Sequence, residues 1–329
     1  MWRFLKITFI IAILLSLAYF ISVTDMQQVM ASLRTVGFNY IYLLLVTFAA
    51  YMCATIGWHY CIQTKAQKPS IGDLFLIRHI GEMISLINPA SVIVGEAAKV
   101  HLLQNKGVSA ANGLTSILLS RVLMAVTQIL LLIFTATFVL IKNWDSVAIL
   151  PRLQLLHLPF ISILLVIAAI LLCYFIIKYL FKHPRATRLF ESIETKLKLR
   201  EVIAEYRHFL KTNRKGLFLC TLFFLLHWII GSMEVYFILK FLGIHAGINE
   251  VIFVDMGIII FKSAGVFVPG QIGVEEFGNK IMLALIGIPD DGVWMSVSVL
   301  RRSRQLFWIC FGGMAYLLYF KRLNRPAES

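Results

Sequence analysis

Six stretches of the chain stay apolar long enough to cross a bilayer, which takes about 20 residues: 4–23, 40–62, 113–141, 156–181, 216–241 and 292–320. Two further apolar segments, 71–86 and 249–268, break at Asn88-Pro89 and Pro269-Gly270. Each resumes as a shorter piece with a polar face, 95–105 and 274–286. A helix the length of 95–105 covers roughly 16 Å, about half a bilayer. The pattern predicts an all-α polytopic membrane protein with about six full spans and two re-entrant helical hairpins, or eight or more crossings if the hairpin arms are counted. The other way to read the breaks is as kinks in ordinary spanning helices, which gives eight to ten crossings.

The two broken segments are echoes of each other. Shifting the second back by 180 residues lays Pro269, Glu276, Gly287, Ile288 and Arg301 on Pro89, Glu96, Gly107, Val108 and Arg121 without a gap. The apolar stretches around them follow, 40–62 matching 216–241 and 72–88 matching 250–268. One domain over 1–329 with an internal repeat of about 36–141 and 216–320 is the expected organisation.

Composition supports the membrane reading: 59% of residues are hydrophobic and only 15% charged, with a mean hydropathy of +0.82. That is too apolar for a soluble globule of 329 residues. The net charge of +14 is uneven. Residues 182–215 carry ten Lys/Arg against four Glu, whereas 142–152 carry two basic residues and one Asp. Basic loops stay in the cytoplasm, so topology accounts for this charge and nucleic acid is not an expected partner. Counting spans outward from 182–215 puts both termini inside and opens the first hairpin to the cytoplasm and the second to the outside. Inverted repeats with broken helices are a recurring architecture of transporters. Apolar positions spaced through 182–215 fit an amphipathic helix on anionic inner-leaflet lipid, or a solvated linker between the halves. The first span follows Arg3 and Lys6 and lacks a small-x-small cleavage site, so it reads as an anchor.

Charges at membrane depth are costly and mark function by default. Arg301 and Arg304 share a face near the middle of their span, with Gln305 beside Arg301, and Arg121 is the mirror of Arg301. Glu96 and Glu276 each fall in the first turn after a break, where the helix dipole favours an anion. In one reading the half-helix N-termini with Arg121, Arg301 and Arg304 form an anion site for a phosphate group. In the other, Glu96 pairs with Arg121 and Glu276 with Arg301 to neutralise buried charge. Arg304 echoes Met124 and has no repeat-related acid, so it is the expected free cation. No catalytic motif occurs. Cys53, His59 and Cys61 lack metal-site spacing, so no cofactor or metal is expected. His227 fits a packing residue better than a proton relay.

The stretch from Pro89 to Arg121, with Gly-Glu-Ala-Ala-Lys at 95–99, and Pro-Gly-Gln-Ile-Gly-Val-Glu-Glu at 269–276 followed by Gly-Ile-Pro and Arg301, resembles the lysylphosphatidylglycerol synthase transmembrane-region family, also called the flippase-like domain family. The resemblance implies a non-enzymatic bacterial inner-membrane protein that translocates a lipid. Phospholipid, hopanoid or glycolipid is the implied substrate, bound around Glu96, Lys99, Arg121, Gly270, Gln271, Gly273, Glu276, Arg301 and Arg304. Gln271 stands where the family commonly has a second Gly. The chain ends nine residues after Phe320, so the aminoacyl transferase domain of fused members is expected to be absent. The rival expectation is a non-transporting partner or scaffold of a separate lipid- or glycan-modifying transferase.

Overall fold

The computed structural model describes residues 34, 36–64, 68–87, 91–142, 209, 213–265, 271 and 273–323. The apolar stretches 4–23 and 156–181, almost all of 182–215, both chain breaks and Gly270 lie outside the described residues. Among the described residues eight α-helices follow a 3-10 turn at Gly37–Asn39: α1 Tyr40–Cys61, α2 Ile71–Ile87, α3 Ser91–Gln104, α4 Ala110–Lys142, α5 Arg214–Phe241, α6 Ile248–Ala264, α7 Val274–Leu285 and α8 Asp291–Leu323. A long, short, short, long order therefore occurs twice.

Local chemistry sets the ends. Ser70 and Asp73 cap α2 reciprocally: the Asp73 N–H donates to Ser70 Oγ at 3.1 Å, and that hydroxyl donates to Asp73 Oδ2 at 2.9 Å. The Asn213 side chain accepts from the Gly216 N–H at 2.9 Å to start α5. Gly107 and Gly287 end α3 and α7 with φ of +81° and +85°. The following Val108 and Ile288 N–H groups reach back to the Leu103 and Leu283 carbonyls. This is the left-handed glycine stop in which an apolar residue after the glycine packs back on the helix. The Gly-Val/Gly-Ile echo of the sequence is thus a helix terminator used at both places.

Three of the helices are long and apolar enough to cross a membrane: α1 with its preceding turn, α4 and α5. Helix α8 is as long as α4, 33 residues each, but Arg301, Arg302 and Arg304 interrupt its apolar character. Helices α2 and α6 have 17 residues each, α3 has 14 and α7 has 12. At 1.5 Å per residue these arms measure roughly 18–26 Å, less than the ~30 Å hydrocarbon core.

Small residues close each hairpin. A side chain on Gly95 would collide with Ser85 Oγ and meet the Gly81 carbonyl at 2.5 Å, so α2 and α3 touch backbone to backbone across a Gly-xxx-Ser groove. Lys99 lies over Gly81 in the same interface. In the second hairpin Gly265 faces Val274, Gly278 faces Phe261 and Gly257 faces Met282. Both arm pairs are antiparallel.

The hairpins open at opposite ends of the bundle. Lys106 after α3 bonds Asp73 in the first turn of α2 at 2.7 Å, next to the start of α4. At the far end of α4, Lys142 bonds Glu250 at the start of α6 at 2.6 Å. Helices α1 and α5 run antiparallel between the hairpins: Gly57 admits the Phe224 ring, and Tyr42 packs on Phe237. Each hairpin also leans on the long helix of the other half, α2 against α8 at Gly312 and α6 against α4. Among the described residues three apolar clusters result: two larger ones, around Ile77, Leu103, Ile117 and Phe224 and around Leu43, Val254, Leu283 and Leu300, and a small one of Leu131, Ile252 and Met256 where α6 meets α4.

A methyl group at Gly95 has backbone in its way, whereas at Gly72 the nearest atom is Ser70 Oγ at 3.9 Å. Gly95→Ala is expected to destabilise by about 1–3 kcal/mol and Gly72→Ala to be neutral or stabilising. Thermal unfolding of the two variants in the same detergent checks this.

Candidate functional site

The first hairpin carries its charges across the two arms and onto α4. Lys99 Nζ on α3 lies 3.1 Å from Glu82 Oε1 on α2 and 3.2 Å from Glu96 Oε1. Arg121 on α4 reaches the same Glu82 oxygen at 3.3 Å and also pairs with Glu96. The Glu96–Arg121 pair expected from the sequence is present, within a four-residue network that includes Glu82. The Arg121 side chain is 47% exposed and Lys99 only 5%. The lysine is the buried clasp and the arginine the open edge.

The second hairpin differs from the expectation. Arg301 does not pair with Glu276. Its guanidinium lies 2.8 Å from Asp255 Oδ1 on α6 and 3.2 Å from Glu275 Oε1 on α7, with Glu234 on α5 at 3.9 Å. Glu276 pairs with Arg302 and accepts the Gly273 N–H at 2.7 Å, capping α7. The reason is angular. One residue is a 100° turn of a helix, so Glu275 and Arg301 face the interior while Glu276 and Arg302 meet a step around the same contact. Arg304 is not a free cation either: its Nε lies 2.5 Å from Glu234 Oε1, and its Nη1 donates to the Tyr51 hydroxyl at 2.8 Å. Arg301, Arg304, Glu234, Asp255 and Glu275 are all buried. Lys262 on α6 clasps Glu275 at 3.0 Å, as Lys99 clasps Glu82.

Between the hairpins lies a cavity of about 270 Å³. Arg78, His79, Glu82 and Met83 of α2 form one wall, Lys262 and Gln271 of the second hairpin another, and Tyr51 of α1 with Arg304, Gln305 and Trp308 of α8 complete it. Gln271 holds a left-handed backbone, φ +54°, and its amide donates to the Lys262 carbonyl at 3.3 Å. His79 donates to the Phe75 carbonyl through Nδ1 at 2.8 Å, and its ring lies 5.0 Å from that of Trp308, tilted by 37°. A second, water-sized cavity of about 30 Å³ is lined by Arg78, Glu82, Glu96, Lys99 and Arg121. Of the residues singled out in the sequence, Gln271 and Arg304 line the larger cavity, Glu96, Lys99 and Arg121 the smaller one, and Gly273, Glu276 and Arg301 neither.

Tyr51, Arg78, Glu82, Glu234, Asp255 and Glu275 were not anticipated. Glu234 and Asp255 are each a lone charge inside an apolar run, and Arg78 and Glu82 interrupt another, so the cost of charge at membrane depth was signal enough for these four, whereas Glu275 stood beside the Glu276 that was chosen. His227 is buried, with Nδ1 donating to the Ala50 carbonyl at 2.8 Å across α1 and α5. It is a packing residue. Among the described residues no cluster of His, Cys, Asp or Glu is placed to hold a metal ion.

Long apolar helices, short closed hairpins and interior ion pairs define an all-helical membrane protein. Residues 5–312 match the family described as the lysylphosphatidylglycerol synthase TM region, and the chain belongs to that family. No curated protein and no solved structure matches it.

Glu275→Gln leaves Lys262 and part of the Arg301 charge uncompensated in the interior and is expected to cost about 3–5 kcal/mol. Glu276→Gln keeps an amide oxygen for the Gly273 N–H and loses only the charge of a partly exposed partner of Arg302, so it is expected to cost less, about 1–2 kcal/mol. Unfolding midpoints of the purified single variants give the order, and equal midpoints contradict the assigned pairing.

Proposed function

We propose that the chain moves a lipid or lipid-linked amphiphile across the bacterial inner membrane and does no chemistry on it. The observation that supports this reading is the cavity walled by both hairpins, which open at opposite ends of the bundle. A hollow of about 270 Å³ lies just under the roughly 300–1,000 Å³ of drug-sized ligand sites. It has room for a small polar headgroup and none for acyl chains. The headgroup enters it while the tails stay in lipid alongside the apolar outer face of α4, where Leu118, Val122, Val126 and Phe134 are exposed. The hairpins, as two inverted halves, open alternately to the two leaflets, and the Glu82–Lys99 and Lys262–Glu275 clasps make each hairpin move as a unit.

In this reading both termini and the loop after α3 are cytoplasmic and the loop after α5 is outside. With endogenous cysteines removed, a maleimide impermeant to the membrane is expected to label a cysteine at His245 in intact cells and one at Ser109 only after permeabilisation. Labelling of both from the same side contradicts the inverted halves. Function is tested in proteoliposomes with head-labelled lipids and an impermeant quencher. Gln305→Trp, which fills the cavity from α8, is expected to slow movement roughly tenfold, the effect of about 1.4 kcal/mol of barrier, with its unfolding midpoint kept. Wild-type vesicles no faster than empty ones overturn the translocase reading.

A further inference from the structure

Five Lys/Arg groups line the two cavities and two more, Arg301 and Arg302, neighbour Arg304 on α8; six of these seven are matched by a carboxylate. Lys99 and Arg121 share Glu82 and Glu96, Lys262 and Arg301 share Glu275, Arg301 also holds Asp255, Arg304 holds Glu234, and Arg302 holds Glu276. Six acids thereby meet six bases. The seventh base is Arg78, which lines both cavities. Among the described residues no carboxylate lies within ion-pair distance of it. Its Nη1 donates to the Tyr51 carbonyl at 3.2 Å, and its guanidinium carbon stands 4.7 Å from the centroid of the Tyr51 ring.

A carbonyl and a ring face hold a guanidinium in place without neutralising it. They occupy one N–H and one face of a fork that has five N–H donors. Arg78 borders the larger cavity, where the other Lys/Arg groups, Lys262 and Arg304, already have acids. We propose that Arg78 is the anion-binding residue of this cavity and that it selects amphiphiles with a singly charged phosphodiester, which the planar fork can bind through two oxygens. One phosphodiester brings the count over these seven bases and six acids to zero, which a low-dielectric interior favours. Tyr51 is the positioning residue: its carbonyl and ring fix Arg78 while its hydroxyl ties Arg304 to the same wall.

This inference rests on the cavity being the headgroup site and is independent of whether the lipid is moved. Binding is measured on detergent-purified protein by the shift in unfolding midpoint and by titration. The probes are phosphatidylglycerol, an uncharged monoglucosyl diacylglycerol with the same chains, and inorganic phosphate. Wild type is expected to prefer phosphatidylglycerol over the uncharged lipid by about tenfold or more, the worth of one charge-assisted hydrogen bond set. Phosphate is expected to compete. Arg78→Gln loses that preference and the competition while its affinity for the uncharged lipid stays within about twofold; Arg78→Lys keeps part of the preference. Equal affinity of wild type for the two lipids overturns the proposal without any variant, and so does a well-folded Arg78→Gln protein that retains the preference. A wild type that binds phosphatidylglycerol through Arg78 but does not move it overturns the translocase reading alone. A protein that moves lipids regardless of phosphate overturns the role of Arg78 alone.

Discussion

Two arginines three residues apart in the interior of α8 constrain everything around them. Arg301 and Arg304 are only 5% and 9% exposed, and an unpaired guanidinium in such a place costs several kcal/mol. The structure meets that cost with carboxylates from three other helices: Glu234 on α5, Asp255 on α6 and Glu275 on α7. Each acid binds its helix to α8, and Ser232 secures Asp255 from the side at 3.1 Å. The second hairpin is therefore held on α8 by charge as well as by the apolar core of Val254, Leu283 and Leu300. Through Tyr51, which Arg304 holds by its hydroxyl, the same constraint reaches α1 and the wall of the cavity.

The hairpins use one device with its sign reversed. In the first, the acid Glu82 is on the leading arm and the base Lys99 on the trailing arm; in the second, the base Lys262 leads and the acid Glu275 trails. Glu82 and Lys262 stand 180 residues apart and both line the cavity. A comparison that looks for identity or shared apolarity sees nothing there, because the shift lays an acid on a base. Glycine makes the closure possible in each: Gly81 makes space for Lys99 and Gly278 for Phe261.

These particulars explain what could be read from the sequence. The helical class and the interruption of the two apolar segments follow from local rules of hydropathy and proline written in short windows of sequence, whereas Gly107 and Gly287 stood out only as matched positions and their left-handed backbone showed them to be helix stops. The Glu96–Arg121 pair was legible because both members recur at the same offset. Glu276–Arg301 was not a true pair, because two adjacent acids, Glu275 and Glu276, face two adjacent bases, Arg301 and Arg302, and only the rotation of the helices decides which meets which. Arg304 looked free because its acid, Glu234, comes from α5, outside the stretch from Pro269 to Arg301 in which its partner was sought. Arg78 was hidden in a run judged by its average hydropathy, although a single charge there is more informative than the average.

The account holds that opposed hairpins enclose a headgroup cavity whose spare positive charge is Arg78. Its most direct test is a cryo-EM map of the protein in a phosphatidylglycerol-containing nanodisc. The account predicts that the two hairpins open to opposite faces of the disc, with headgroup density between α2 and α6 within hydrogen-bond reach of the Arg78 guanidinium. A map in which both hairpins open to one face, or in which Arg78 is closed off by a protein carboxylate and lipid density lies elsewhere, contradicts it.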